Sequence, residues 1–374
     1  MKICLDIQSA VGRQAGVGRY TQSLAGQLGG LAGAGDSLTC FYFDFRRRGI
    51  SFPIPQTRIR SCRLLPGALV QKAWTHLNAP PFDSFSGAHD LFHFPNFFLP
   101  PLRKGRAVVT IHDVSFLRFP DFAEDRNRRY LEGTIPHTVA HADAILTVSQ
   151  FSADEIVALL GVPRARVHAV PLGITPHMRP PPPETVDRAR RNLGLTRPYL
   201  LTVGTLEPRK NIPFLVDVFE QLAPHYPGDL VLAGAPGWKV GPLLDRIRRS
   251  PVANRIRRLD FVPDGDLPAL YAGADLFLFA SHYEGFGFPP LEAMACGVPV
   301  ISSPGGSLRE VLGEAAILLE PSDAETWCAR IRETLADEAK RTALITAGFA
   351  QAARYTWPET ARRTWDVYRK VATS

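Results

Sequence analysis

The sequence predicts an α/β protein of two units, each built around a parallel β-sheet. Short apolar runs alternate with segments of helical periodicity in both halves of the 374-residue chain, and this length is typical of two domains. The apolar runs show little polar alternation, as expected of strands that are buried on both faces. With 45% hydrophobic residues, the chain has enough apolar side chains for two cores.

The predicted elements alternate along most of the chain. Strands are predicted at Lys2–Asp6, Leu38–Phe43, Leu91–Phe94, Ala107–Ile111, Ala144–Val148, Val167–Val170, Tyr199–Val203, Leu230–Ala233, Ile256–Phe261, Leu276–Ala280, Val298–Ser302 and Ile317–Leu319. Helices are predicted at Val17–Leu31, Arg126–Ala142, Ser152–Leu160, Ile212–Ala223, Val240–Ser250, Gly265–Ala272, Pro289–Ala295, Leu308–Leu312 and Asp323–Asp337.

A proline-rich stretch separates the two units. Residues 171–184 contain too much proline for a helix interior or a central strand. This predicts an N-terminal domain over 1–174, a linker over 175–184 and a second domain over 185–356. The tail, 357–374, is predicted to be an amphipathic helix that packs either on the second domain or back on the first, because apolar side chains recur every three to four residues at Trp357, Ala361, Trp365 and Tyr368.

Composition excludes several classes of protein. Five scattered cysteines lack metal-ligand or redox spacing, so free thiols in a reducing cytoplasm are expected. No segment reaches the roughly 20 apolar residues of a membrane span. The N terminus runs directly into a strand and lacks the layout of a signal peptide. A cytoplasmic location is therefore expected.

The net charge of +7 leaves three interpretations. Arginines cluster at 46–48, 58–63, 126–129 and 246–249. They form a solvated surface, a surface attracted to the anionic inner face of the cytoplasmic membrane, or a nucleic-acid interface. The last lacks any accompanying nucleic-acid-binding motif, so no nucleic-acid partner is expected. The aromatic-rich segment 92–101 is either a core strand with its loop or part of a membrane-facing surface.

The most informative segment is 280–301, which places Glu284 and Glu292 around a glycine-rich turn. Pro289 and Pro290 fit the start of a helix, where a missing N–H group costs nothing. Glu284 is therefore expected in a strand-to-helix loop and Glu292 in the first helical turn. Helix N termini bind anions through unpaired N–H groups. The segment thus predicts a sugar-nucleotide site, with phosphate on the N–H groups and hydroxyls on the carboxylates.

A basic loop, Gly204–Asn211, follows the first predicted strand of the second unit. Arg209 and Lys210 stand at the carboxyl end of that strand, where open α/β sheets bind ligands. Arginine binds phosphate bidentately and lysine adds a point charge. The pair suits a pyrophosphate group, and a solvated charged turn is the alternative.

Three further loops follow predicted strands, and each has a structural alternative. Gly16 and Gly18, in the loop 11–20, either admit a phosphate to a helix N terminus or form a tight turn. His112 either binds a sugar hydroxyl or is structural, and Val262 either borders a nucleobase or packs within its own loop. The chain lacks a Walker lysine loop and a carboxylate pair placed to hold a divalent ion, so neither a metal nor a cofactor is expected.

Together these motifs resemble glycosyltransferase family 4, a family of retaining enzymes with the GT-B fold. The resemblance covers nearly the whole chain. It rests on Glu284 and Glu292 with seven residues between them, on the loop Gly204–Asn211, and on the segments Thr110–Asp113, Ala144–Ser152 and Val170–Ile174. It implies an α/β structure of two Rossmann-like domains that face each other across a cleft, with the C-terminal helix crossing back to the first domain.

The resemblance also implies roles for individual residues. Arg209 and Lys210 would bind the donor pyrophosphate, and Glu292 would bind the ribose hydroxyls. Many members carry an arginine where this chain has Thr205, so Arg209 is expected to carry that charge. The donor sugar would contact Glu284, Gly285, Phe286 and Gly287, with Leu291 and Val262 also in the donor site, His112 reaching the sugar from the first domain, and Gly16 or Gly18 approaching the distal phosphate.

The function implied is a metal-independent retaining hexosyltransferase. Its partners would be a nucleotide-sugar donor, GDP-mannose as the first choice, and a saccharide or polyprenyl-linked acceptor in O-antigen or exopolysaccharide synthesis. The alternatives are a GDP-rhamnose or UDP-hexose donor, a GT-B-fold epimerase or phosphorylase, and a non-catalytic nucleotide-sugar-binding subunit. A retaining glycosidase is disfavoured because its carboxylate pair needs no cationic phosphate binders beside it.

Overall fold

The computed structural model describes residues 1–12 and 16–373. The chain divides into two compact units. The first unit comprises Met1–Val114, Asp125–Gly173 and Thr356–Ser374. The second unit comprises Ser115–Glu124 and Ile174–Tyr355.

Strands and helices alternate through the described part of the chain. The strands are β1 Lys2–Asp6, β2 Ser37–Phe43, β3 Arg58–Cys62, β4 Leu91–Phe94, β5 Arg106–Thr110, β6 Ala144–Thr147, β7 Val167–Ala169, β8 Tyr199–Val203, β9 Asp229–Ala233, β10 Ile256–Leu259, β11 Leu276–Phe279, β12 Val300–Ser302 and β13 Ile317–Leu318. The α-helices are α1 Gly16–Leu28, α2 Gly67–Leu77, α3 Asp83–Ser86, α4 Ser115–Arg118, α5 Asp125–His141, α6 Gln150–Leu160, α7 Pro183–Asn192, α8 Ile212–Leu222, α9 Gly241–Arg248, α10 Leu267–Ala272, α11 Phe288–Ala295, α12 Leu308–Leu312, α13 Ala324–Ala336, α14 Glu338–Ala352 and α15 Trp357–Thr373.

Both sheets have the strand order of a Rossmann fold. Within the described residues, the first unit's sheet runs β3-β2-β1-β4-β5-β6-β7 and the second unit's runs β10-β9-β8-β11-β12-β13. Neighbouring strands pair in parallel, with β1 between β2 and β4 and β8 between β9 and β11. The chain therefore adds strands first on one side of β1 and then on the other, and it does the same around β8. We call this position in each sheet the reversal point. Open α/β sheets bind ligands at the carboxyl ends of the strands beside such a point.

The predicted strands are confirmed, with ends that differ by one or two residues. β3 was not predicted. It lies at the sheet edge, and its side chains are mostly exposed and alternate with arginine, so it lacks the apolar run of a buried strand. The helices α2, α3, α4, α7 and α14 were also not predicted. α7 begins at Pro183, inside the predicted linker, because proline is tolerated at the first position of a helix.

The segment 115–124 belongs to the second unit, whereas the sequence assigned it to the N-terminal domain. Its aromatic side chains explain this placement. The ring of Phe119 packs against Tyr283, and the ring of Phe122 stacks on His282 at 5.2 Å between centroids. The indole nitrogen of Trp238 also donates to the Phe122 carbonyl at 2.5 Å. These contacts join residues that are far apart in sequence, so the local sequence pattern does not predict them.

The C-terminal helix α15 packs within the first unit, against α1. Its buried face makes two polar contacts that anchor it. The Tyr368 hydroxyl lies 2.6 Å from Nδ1 of His93, and the Thr360 hydroxyl donates to the Pro171 carbonyl at 2.8 Å. These hydrogen bonds satisfy polar groups that burial would otherwise leave unpaired.

The aromatic-rich segment 92–101 is part of the first unit's core. Phe92, Phe94 and Leu99 are buried, so the interpretation of this segment as a membrane-facing surface is wrong. Within the described residues, no helix is both long enough and apolar enough to span a membrane.

Candidate active site

Two loops of the second unit flank the point at which its chain reverses. One loop follows β8 and runs through a 3₁₀ turn at Pro208–Lys210. Asn211 then takes a left-handed conformation, with φ of 51°, and α8 begins. The other loop follows β11 and leads into α11. Because β8 and β11 are neighbours, both loops emerge side by side at the carboxyl edge of the sheet.

These loops form a cluster around the carboxylate of Glu284. The Lys210 ammonium donates to Oε1 of Glu284 at 2.6 Å, and Nη1 of Arg209 donates to Oε2 at 3.0 Å. Arg209 also donates to the buried carboxylate of Glu207 through Nη2 at 2.7 Å and Nε at 3.1 Å. The Ser281 hydroxyl donates to Oε1 of Glu284 at 2.5 Å. We call Glu207, Arg209, Lys210, Ser281 and Glu284 the carboxylate cluster.

The carboxylate cluster is electrostatically balanced, with two carboxylates against two cations. Burial opposes ionisation of Glu284, whose side chain is buried, but the charges of Arg209 and Lys210 and the hydrogen bonds from Lys210 and Ser281 outweigh it. They lower the pKa of Glu284 from 4.5 to about 2. Glu284 is therefore an anion near neutral pH, and it holds the two cations in place.

A neighbouring turn, which contains Gly306 and Ser307, supports the loop that carries Glu284. The Ser307 N–H group donates to the Glu284 carbonyl at 2.9 Å, and the Ser307 hydroxyl donates to the Phe286 carbonyl at 2.8 Å. Gly306 has φ of 67°, and a Cβ atom there would lie 2.4 Å from the Glu284 carbonyl oxygen. Only glycine fits this close approach.

Glu292 lies in the second turn of α11, not in the first turn as predicted, because the helix begins at Phe288. Its carboxylate is buried and accepts a hydrogen bond from the Tyr271 hydroxyl at 3.0 Å. Pro289 and Pro290 occupy the start of the helix, as expected. The N terminus of α11 follows Gly287, whose φ of 120° turns the chain into the helix.

The remaining predicted donor residues of the second unit differ in exposure. Thr205 is exposed in the loop that follows β8, whereas Gly285, Phe286 and Leu291 are buried. Val262 is buried in the loop after β10. Thr205 is thus the accessible side chain of this group.

Sequence reasoning missed Glu207, Ser281, Tyr271 and the turn at Gly306. Glu207 and Ser281 lie within the two motifs that the sequence analysis identified, so their membership of these motifs could have predicted that they belong to the site. Tyr271 and Gly306 lie in other segments, and no local pattern connects them to the site.

In the first unit, His112 follows β5. Its Nε2 atom lies 3.0 Å from the Pro95 carbonyl, and its ring makes an edge contact with Tyr20. Burial lowers the pKa of His112, so the ring is neutral near pH 7. Gly16 begins α1 and is exposed, and Gly18 lies in its first turn and is buried. The predicted glycine loop includes residues 13–15, which lie outside the described residues.

A cavity of about 190 Å³ opens beside the reversal point of the first unit. It lies at the carboxyl ends of β1, β2 and β4. Polar and aromatic side chains line it together: Asp6, Gln8, Gln71, Asn96, Trp74, Phe98 and Tyr130. Burial raises the pKa of Asp6 to about 6, against the opposing hydrogen bond from the Gln8 N–H group at 2.9 Å.

Among residues 1–12 and 16–373, no group of three or more histidine, cysteine, aspartate or glutamate side chains is arranged to hold a metal ion. The carboxylates of the second unit's site are instead occupied by basic and hydroxyl groups. What this arrangement can do chemically is hold a polar ligand between fixed charges and a helix N terminus.

Comparison with known proteins places both halves of the chain. The family "Glycosyltransferase Family 4" matches residues 15–177, and the family "Glycosyl transferases group 1" matches residues 184–351. An Escherichia coli protein, O-antigen chain mannosyltransferase B, is 38% identical over 285 residues, which cover 75% of this chain and 74% of that protein. The E. coli serotype-specific mannosyltransferase WbdA is 32% identical over 72% of this chain, which spans 34% of WbdA.

A solved structure supports the fold. Sucrose-phosphate synthase from Thermosynechococcus elongatus superposes with a TM-score of 0.76 at 22% sequence identity, over 100% of both chains. The chain therefore belongs to the group 1 glycosyl transferases and glycosyltransferase family 4, has the GT-B fold and is a hexosyltransferase.

Proposed function

We propose that the protein transfers mannose from GDP-mannose, with retention of anomeric configuration and without a metal ion, to a saccharide acceptor in O-antigen synthesis. The observation that carries the proposal is the carboxylate cluster, which holds Arg209 and Lys210 beside Glu284 at the reversal point of the second sheet. The choice of mannose rests on the similarity to an O-antigen mannosyltransferase. GDP-rhamnose and UDP-hexoses are the competing donors.

The chemistry follows from where charge moves. As the bond between the anomeric carbon and the diphosphate oxygen breaks, negative charge gathers on the diphosphate. Arg209 and Lys210 stabilise that charge, because preorganised cations act most strongly where charge develops. The acceptor oxygen bonds to the anomeric carbon on the same face, and its proton passes to the leaving phosphate oxygen. Glu284 orients the sugar hydroxyls, and Glu292 binds the ribose.

A donor diphosphate also changes the balance of the carboxylate cluster. The cluster is neutral before binding, so the two added phosphate charges compete with Glu284 for Arg209 and Lys210. Glu284 then has lone pairs to offer to sugar hydroxyls. The donor is therefore recognised by an exchange of partners around the two cations.

We place the acceptor saccharide in the cavity of the first unit. Aromatic faces pack against the apolar faces of a sugar ring, and amide and carboxylate groups bind its hydroxyls. Trp74 and Tyr130 supply the first kind of contact, and Asp6, Gln8 and Asn96 supply the second. In this proposal the acceptor is carried on a polyprenyl lipid, and the enzyme associates peripherally with the inner face of the cytoplasmic membrane.

The test is nucleotide release by the purified full chain. GDP-mannose, GDP-rhamnose and UDP-glucose are compared with octyl α-mannoside or a polyprenyl-linked saccharide as acceptor, with and without EDTA. We expect GDP release with GDP-mannose, unchanged by EDTA, and an α-linked product by NMR. Release of UDP from UDP-glucose, with no release of GDP from either GDP-sugar, would show that a UDP-hexose is the donor instead of GDP-mannose. No release with any donor would leave a non-catalytic subunit, and an altered free sugar nucleotide would indicate an epimerase.

Glu284→Ala tests the site itself. We expect loss of transfer with GDP affinity retained, because the phosphate-binding cations remain. Glu314→Ala, at an exposed glutamate of the same unit, is the matched control. Full turnover in Glu284→Ala would remove this residue from the site.

A further inference from the structure

One part of the first unit carries an excess of positive over negative charge. Between Asp44 and Asp83 the sequence contains no aspartate or glutamate. The same stretch carries these cations: Arg46, Arg47, Arg48, Arg58, Arg60, Arg63 and Lys72. Their number equals the net charge of the whole chain, +7. The rest of the protein is therefore neutral overall, and the excess charge is a local property.

Exposed apolar side chains are concentrated in the same stretch. Large hydrophobic residues that are exposed among the described residues are Phe45, Ile59, Leu64, Leu65, Leu69, Leu77, Phe261 and Phe349. Six of these eight lie between residues 45 and 77. Leu64 is 85% exposed and Leu77 is 73% exposed. Single exposed leucines are common on protein surfaces, but such a concentration marks an interaction site.

These residues lie in four consecutive segments: the loop after β2, β3, the turn after β3 and α2. β3 is the edge strand of the sheet and exposes Arg58, Ile59 and Arg60. The loop after β2 and the start of α2 line one cavity of about 530 Å³, so these two segments also lie together. We call residues 45–77 the basic–apolar surface.

α2 presents different faces to the core and to solvent. Val70 and Trp74 are buried, whereas Leu69, Lys72 and Leu77 are exposed. Leu69 and Lys72 are three residues apart and are therefore neighbours on the helix surface, and Leu77 is the last residue of the helix. Exposed apolar side chains beside cations are typical of a helix that lies in a membrane interface.

The loop after β2 is built to hold its arginines outward. The buried carboxylate of Asp44 accepts hydrogen bonds from the N–H groups of Arg48 at 2.7 Å and Gly49 at 3.2 Å. These bonds fix the backbone of the loop, and the side chains of Arg46, Arg47 and Arg48 are exposed. Arg63 lies 3.9 Å from Asp44 and is partly neutralised by it.

We propose that the basic–apolar surface binds an anionic lipid bilayer, with the arginines on lipid phosphates and the leucines inserted among the acyl chains. The combination of charge with exposed leucine favours lipid over nucleic acid, because a nucleic acid offers no apolar layer to receive Leu64, Leu69 and Leu77. This inference names the surface responsible for the membrane association in the proposed function, and it does not depend on the identity of the donor.

The test is sedimentation of the full chain with vesicles, in the absence of donor. Vesicles of phosphatidylcholine alone are compared with vesicles that contain about one third phosphatidylglycerol. We expect binding to the anionic vesicles that weakens at high salt, because salt screens surface charge. Arg46→Gln/Arg47→Gln should weaken binding about fivefold per arginine.

Leu69→Gln/Leu77→Gln tests the apolar part. We expect this variant to bind more weakly than the wild type at both low and high salt. If the surface acted through charge alone, the variant would bind as tightly as the wild type does. The matched control is Arg249→Gln/Phe261→Gln, which removes one exposed arginine and one exposed aromatic residue from the second unit. All these side chains are exposed, so unchanged thermal unfolding should show that the variants fold.

Three results would overturn the inference. One is wild-type protein that stays in the supernatant with anionic vesicles. Another is equal loss of binding in the control and in the surface variants. The third is tighter binding to a single-stranded oligonucleotide than to vesicles, with the leucine variant unaffected. Because nucleotide release is measured separately on a soluble acceptor, failure here leaves the proposed reaction untouched, and failure of the reaction leaves the vesicle result standing.

Discussion

Replacing Glu284 with glutamine should destabilise the protein and change how its stability depends on pH. Glutamine has the shape of a protonated glutamic acid but cannot ionise. The surroundings of Glu284 lower its pKa from 4.5 to about 2 because Arg209 and Lys210 stabilise the anion more than burial disfavours it. A shift of this size corresponds to about 3 kcal/mol of free energy of unfolding.

The sign of the pH dependence follows from the lowered pKa. The folded state holds the Glu284 anion more tightly than the unfolded state does. The stabilisation is therefore fully present above pH 4.5 and is lost as pH falls towards 2. The difference in free energy of unfolding between wild type and Glu284→Gln should be about 3 kcal/mol at pH 7 and about half of that at pH 3.

Urea unfolding, followed by tryptophan fluorescence between pH 7 and pH 3, measures this difference. Glu314→Gln, at an exposed glutamate, is the control and should match the wild type at every pH. Equal stability of wild type and Glu284→Gln at pH 7 would refute the reasoning, because the carboxylate would then gain nothing from the two cations. A difference that stays constant with pH would also refute it.

Three further predictions concern other parts of the molecule. Gly306→Ala should lower the free energy of unfolding by about 1–3 kcal/mol and weaken GDP binding, since the added methyl group would collide with the Glu284 backbone; calorimetry that shows neither effect would contradict this. Tyr271→Phe should cost about 1–3 kcal/mol, because it removes the hydroxyl that donates to the buried Glu292 carboxylate, and urea unfolding against the wild type measures this cost. Burial lowers the pKa of His93 from 6.5 to about 3, so wild-type stability should fall as pH drops below 6.5. In urea unfolding, His93→Gln should show a shallower fall between pH 6.5 and 4.5, because His112, whose pKa burial also lowers, still contributes.

Much of the fold could be predicted because a buried parallel strand has a continuous run of apolar residues. Such runs identified every strand except β3, which lies exposed at the sheet edge and therefore lacks one. The proline-rich boundary was also visible, although α7 begins inside it because proline suits a helix start. The segment 115–124 was assigned to the wrong unit, since its position depends on aromatic contacts with distant residues.

The sequence by itself determined which residues stand in the two loops that form the site. A glycine after a strand, a basic pair before a helix and two glutamates around a double proline are local patterns, and each reflects the backbone that it must adopt. The same patterns led to the family and to the hexosyltransferase class.

Only the tertiary structure decided that these residues meet. Lys210 and Glu284 are 74 positions apart, and they touch because β8 pairs with β11 as well as with β9. The order of strands depends on packing over the whole sheet, which no local pattern expresses. The gathering of exposed leucines and arginines on residues 45–77 has the same origin, because exposure is a property of the folded chain.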